Sequence, residues 1–164
     1  MNSTTYRVME RMTEFFAGHP KQIHHFLKVS ACCEAIAMGE GLDDSLRQRL
    51  VIAGLVHDIG IRIADEKFGR HEGPLQEQEG PAAARPLLAG CGLEEAEIDR
   101  QCWLIAHHHT YTNVTELDHQ ILLEADFLVN AYEGAEPKEA ILAMREKVFR
   151  TAAGIRLLNT MFAL

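Results

Sequence analysis

Two histidines lie within the apolar faces of helices that this chain's periodicity predicts, and they restrict what it can fold into. His25, Val29, Cys32 and Ile36 step by four, three and four, which is one face of a helix. Leu46, Leu50, Ala53 and His57 repeat the pattern. An imidazole packed among aliphatic side chains needs a hydrogen-bond partner or a metal ion. Either histidine alone is accounted for as a core residue bonded to a neighbour, so the argument turns on what stands with them.

The rest of the sequence continues the helical spacing, and alternation of strand type is scarce, so the expected fold is all-α. A first helix is predicted over residues 4–17, with Val8, Met12, Phe15 and Phe16 on one side and Gly18-His19-Pro20 as its stop. Helices follow over 21–39 and 43–58, the latter capped by Asp43 or Asp44. Others are expected over 80–88, with Pro81 in a first turn, and over 94–109, 117–132 and 137–149, with a last segment ending at Leu164. Residues 60–79 carry Gly60, Gly69, Gly73 and Pro74 among charged residues and read as a long, partly irregular loop. Such a loop is either an active-site wall or a spacer. No repeat or linker divides the chain, so residues 1–164 are expected to form one domain.

Composition narrows the function classes. Hydrophobic residues make up 47% and charged residues 24%, which excludes a mainly disordered chain. The net charge of −8 argues against a nucleic-acid or anionic-membrane surface, because phosphate backbones are bound by clusters of Lys and Arg. A small phosphorylated substrate remains open, since a bound cation supplies positive charge locally. Cys32, Cys33, Cys91 and Cys102 form no C-x-x-C pair, which argues against a structural zinc site and for small buried residues in a reducing compartment. The first eleven residues lack the apolar run of a signal peptide, and no stretch reaches bilayer-spanning length. The expected location is therefore cytoplasmic.

His57-Asp58 ends the apolar run Val51-Ile52-Ala53-Gly54-Leu55-Val56. An imidazole beside a carboxylate at the end of a buried helix is costly unless something cationic joins them. Asp126, inside Ile121-Leu122-Leu123-Glu124-Ala125-Asp126-Phe127-Leu128-Val129, poses the same problem: it must be protonated or matched by positive charge. A structural salt bridge is the alternative. Imidazole nitrogen with carboxylate oxygen suits Mn, Fe, Co, Ni or Zn better than Ca or Mg.

This ordered set resembles the HD superfamily of metal-dependent phosphohydrolases: a histidine on an early helix, a His-Asp pair on a later one, then a distant Asp. The first element reads His25-Phe26-Leu27-Lys28-Val29, with Lys28 where the family has Arg. The second reads His57-Asp58-Ile59-Gly60, and the last Glu124-Ala125-Asp126-Phe127-Leu128. The resemblance covers about residues 21–129. It implies an HD-type helical domain with His25, His57, Asp58 and Asp126 as ligands of one divalent ion. Some relatives hold two ions through added histidines. For that role His108 is favoured at the end of the 94–109 helix, with His109 close behind and His107 pointing away. Glu79 is either a further ligand or a charge stabilising a helix start, and His71 is either a substrate contact or a surface residue. His19, His24 and His119 are expected at the surface or behind the ligands.

The implied activity is hydrolysis of a small phosphate ester, a nucleotide or related metabolite. Asp58 would orient the attacking water, and a histidine from 107–109, His108 first, would protonate the leaving group or hold the phosphate. Ile61 stands where many relatives carry a Lys or a catalytic Glu, so Lys28, Arg62, Lys67 and Arg70 are each either a source of the phosphate charge or an ordinary surface charge. Two other readings use the same ligands: a two-iron oxygenase, and an inert metal-binding or signalling module. A homodimer through a terminal helix is open, although no heptad supports it.

Overall fold

The computed structural model describes residues 1–164 and contains nine helices and no strand. They are α1 Ser3–Phe15, α2 Pro20–Gly39, α3 Asp44–Val56, α4 Gly60–Phe68, α5 Gly73–Leu88, α6 Glu95–Ile105, α7 Leu117–Glu133, α8 Lys138–Val148 and α9 Ala152–Phe162. Side-chain caps fix three starts. Asn2 accepts from the Thr5 N–H, Asp43 from Leu46 and Thr151 from Gly154. Of the two capping candidates at the third helix, Asp43 is the one used.

Residues 60–79 depart from the loop expected there. They hold α4 and the first half of α5, separated by Gly69 in the left-handed region (φ 65°) and a short link. The glycines that suggested irregular chain act as contact points instead. A Cβ at Gly60 would overlap the Gln76 carbonyl and lie 2.8 Å from the Gly80 nitrogen, and one at Gly80 would strike Ile105. Bare backbone at both positions lets α4, α5 and α6 close on one another. Pro81 consequently lies inside α5 rather than opening a helix, and Glu79 is a mid-helix residue.

Two apolar clusters fill the interior. One joins Val29, Ile36, Leu50, Leu122 and Leu128 to Ile141, Phe149 and Leu158. The other gathers Val8, Met12, Phe26, Ile52, Ile59, Leu88 and Ile105. α2 and α3 contribute to both, so these helices form the middle of the molecule. At Gly54 a Cβ would sit 2.5 Å from the Ser30 Cα, so α2 and α3 cross in direct backbone contact. That crossing brings His25 towards His57. Cys33, Cys91 and Cys102 are buried, Cys32 is half-buried, and all four are free thiols. No helix is long and apolar enough to cross a membrane.

Candidate metal centre

α2 supplies His25, the C-terminus of α3 supplies His57, the following turn Asp58 and the middle of α7 Asp126. All four are buried. Their inward atoms converge. His25 Nε2 lies 3.3 Å from His57 Nε2, and each of these nitrogens is 3.3 Å from Asp126 Oδ1. Asp58 Oδ2 is 3.5 Å from His25 Nε2 and 3.6 Å from His57 Nε2.

The outward nitrogens explain why this arrangement calls for a cation. His25 Nδ1 is 2.9 Å from Glu133 Oε2, and His57 Nδ1 is 3.1 Å from the Gly54 carbonyl. Both partners are acceptors, so both Nδ1 atoms carry the hydrogen and both Nε2 atoms of the neutral rings present lone pairs. Two lone pairs and two carboxylate oxygens then face one another across an enclosed space. Donor atoms about 2.1 Å from a shared transition ion stand about 3.0 Å apart along an octahedral edge and about 3.4 Å along a tetrahedral one. The five separations above fit such an ion. The one hydrogen-bond donor from another side chain is Asn130 Nδ2, 2.8 Å from Asp126 Oδ1.

Without a cation, protons take its place. Burial opposes charge on His25, but the hydrogen bond to Asp126 and the charges of Asp58 and Asp126 outweigh it and push its pKa up to about 9. Burial likewise opposes ionisation of Asp58, yet His57 and His108 hold its pKa at about 2. Asp126 is held well below the ordinary carboxylate range, against burial, by His25 and His57.

Asp58 also faces a second group. Its Oδ1 is 2.8 Å from His108 Nε2 and 3.9 Å from His109 Nε2, while Oδ2 faces His25 and His57. Ligand atoms of Asp58, His108 and His109 lie within 4.8 Å of one another, as do those of His25, His57 and Asp58. His108 is completely buried, with Nδ1 2.7 Å from the Ile105 carbonyl. Burial opposes its charge, but its bond to Asp58 and the charges of Asp58 and Asp126 raise its pKa. His109 moves the other way, lowered by burial and then by His108. Its Nε2 is 2.8 Å from Gln76 Oε1.

The remaining sequence candidates are dispersed. Glu79 is buried in α5 and paired with Lys67, outside both groups. His71 stands at the rim, 2.7 Å from Asp65. His107 stacks on Trp103, ring centroids 4.1 Å apart. His119 is buried behind it, Nε2 donating to the His107 carbonyl at 2.8 Å. His19 and His24 are exposed. The four cations offered for phosphate are already engaged: Lys28 by Glu133, Arg62 by Glu66 and the Phe15 carbonyl, Lys67 by Glu79 and Arg70 by Glu72.

Sequence reasoning passed over Asn130, Glu133 and Gln76. The first two had a signal, since Asp126, Asn130 and Glu133 step by four and three along one face of α7. Gln76 had none, because it falls in the segment read as loop.

The HD domain family model matches residues 23–145, more than half of the chain, and the chain belongs to that family. The crystal structure of a protein described as a predicted HD superfamily hydrolase, from an uncultured Thermotogales bacterium, superposes with a TM-score of 0.68. It is 24% identical, with 96% of this chain and 84% of that one covered. At that identity the likeness bears on the fold. No curated protein matches the chain.

Proposed function

We propose that the chain is a metal-dependent phosphohydrolase acting on a small phosphate ester. In this reading His25, His57, Asp58 and Asp126 hold one divalent transition ion, with His108 and His109 beside it on the other oxygen of Asp58. The observation that carries it is the convergence of two imidazole lone pairs and two carboxylates with no Lys or Arg among them. Family membership and the description of the Thermotogales protein as a predicted hydrolase support the reaction class. A divalent ion held there supplies Lewis acidity to a phosphoryl oxygen and acidifies water.

The chain's own residues do the rest. Glu133 and the Gly54 carbonyl fix the tautomers of His25 and His57, so both rings present Nε2 inward. Asp58, with one oxygen towards each group, orients the attacking water. His108 is too enclosed to meet a leaving group and acts by holding Asp58. His109 lines the open cavity with His25 and Asp58, and its lowered pKa keeps it neutral and able to accept a proton from the water.

The test is hydrolysis of a panel of phosphate mono- and diesters by protein loaded with Mn, Fe, Co, Ni or Zn. Hydrolysis that disappears on chelation is the expected result, read as inorganic phosphate from a monoester or as alcohol and monoester from a diester. Consumption of oxygen by the iron-loaded protein, with no ester hydrolysed, would replace this reading with an oxidative one.

A further inference from the structure

The start of α5 grips the chain where it carries His109 into the cavity. Glu77 Oε1 accepts from the His109 N–H at 2.9 Å and from the Thr110 hydroxyl at 3.0 Å. A Cβ at Gly73 would lie 3.0 Å from Cδ2 and 3.1 Å from Cγ of His109, so the ring rests against bare backbone. The His108 ring packs on it as well, centroids 4.0 Å apart. With the backbone anchored and the ring seated, the chemistry of His109 depends on which nitrogen carries the hydrogen, and the bond made by the other atoms of the ring decides that.

Gln76 makes that bond. It is buried, and its Nε2 donates to the His71 carbonyl, which can only accept. The amide cannot turn over without setting two oxygens against each other. Gln76 Oε1 is therefore the atom 2.8 Å from His109 Nε2, and an oxygen there requires a hydrogen on that nitrogen. Asp58 Oδ1, 3.9 Å from the same nitrogen, is an acceptor too. His109 Nδ1 bonds to no group of the protein, so in the neutral ring it keeps its lone pair.

We infer that Gln76 is a positioning residue: it holds His109 in the Nε2–H form, so that Nδ1 takes the proton of the attacking water and Nε2 is not free to hold a second ion beside Asp58. The inference rests on the phosphohydrolase reading and deepens it. The proton passes from water to Nδ1, and the electron pair it leaves on oxygen forms the bond to phosphorus. The leaving oxygen departs with the pair of the broken P–O bond and takes a proton from solvent, and the imidazolium returns its own to solvent. Gln76 Oε1 stays bonded to Nε2–H throughout and stabilises the imidazolium while it exists.

The experiment records two-bond 1H–15N spectra of the imidazole rings in zinc-loaded protein, with His109→Asn to assign the signals. Beside them, kcat and KM are measured for the ester that the wild type cleaves fastest, in the wild type, Gln76→Leu and Gln76→Glu. Wild-type His109 should carry hydrogen on Nε2 and none on Nδ1, with zinc saturating at about one equivalent. Gln76→Leu should mix the two tautomers and lower kcat about ten- to hundredfold, with KM and bound zinc unchanged. Gln76→Glu keeps an oxygen against Nε2 and should restore the tautomer and most of kcat. Hydrogen on Nδ1 in the wild type, or loss of the Nε2 hydrogen to a second equivalent of zinc, overturns the inference and leaves the phosphohydrolase reading standing. So does a Gln76→Leu enzyme with the wild-type kcat. Failure of the wild type to hydrolyse any ester overturns both.

Discussion

Glu124 and Asp126 are two residues apart on α7, both buried, and their surroundings are opposite in kind. Glu124 faces the start of α9. It accepts from the backbone N–H groups of Arg150 at 2.6 Å and Thr151 at 3.0 Å, from Gln120 Nε2 at 2.7 Å and from the Thr151 hydroxyl. Its lone pairs are matched by donors that the fold itself supplies. Asp126 faces the histidines and, apart from Asn130, meets only atoms that are acceptors while the imidazoles are neutral. One carboxylate completes a structure, and the other is incomplete until a cation or protons arrive. Burial of a charged residue therefore says little by itself, and the donor inventory around it decides between architecture and function.

Exchanging the two carboxylates for neutral residues tests this contrast. Asp126→Asn should abolish metal retention and lower activity by at least about a thousandfold, since the bound ion contributes several kcal/mol at the transition state. Thermal unfolding of the variant should no longer respond to added metal. Glu124→Ala should leave metal content unchanged but strand buried N–H groups, lowering stability by about 3 kcal/mol in denaturant titrations. A Glu124→Ala protein that loses metal while keeping its stability would erase the distinction.

Smaller effects sharpen it. Glu133→Gln keeps the size of the side chain but weakens its hold on His25 Nδ1, so metal affinity should fall about ten- to hundredfold, read by competition with a chelator. The pH dependence follows from the proton that stands in for the cation. His25 in the metal-free chain has a pKa of about 9, so below that pH a cation must displace a proton. Apparent metal affinity should therefore rise about tenfold per pH unit between about pH 6 and 8 and flatten above about pH 9. Affinity independent of pH would mean that His25 is neutral before metal arrives.

How much of this was legible in the sequence depended on how regular the chain is. α2, α3 and α7 were readable because their apolar residues recur at helical spacing and the four central residues fall on those faces. α4 and the start of α5 were not, because Gly60, Gly73 and Gly80 carry the same letters whether they break a helix or allow another backbone to approach. Only the packing of Gly60 against Gln76 and Gly80 distinguishes the cases. Of the histidines after α6, the relative burial of His108 and His109 was misjudged for a related reason. The helix ends at Ile105 and residues 106–109 form turns, so the phase extrapolated from Ile98, Cys102 and Ile105 no longer applies. His108, placed by that phase at the edge of the buried face, is completely enclosed, while His109, placed at its centre, lines the cavity. Glu79 was misplaced with its helix: taken as the residue before a start, it is an interior position paired with Lys67.

The central claim is that two imidazoles and two carboxylates share a cation that the polypeptide does not provide. Elemental analysis of protein purified without added metal, beside Asp126→Asn prepared identically, tests it most directly. The account requires about one equivalent of a transition ion in the wild type and essentially none in the variant. Equal metal content in both proteins, or an empty wild type that takes up no Mn, Fe, Co, Ni or Zn on titration, would contradict it.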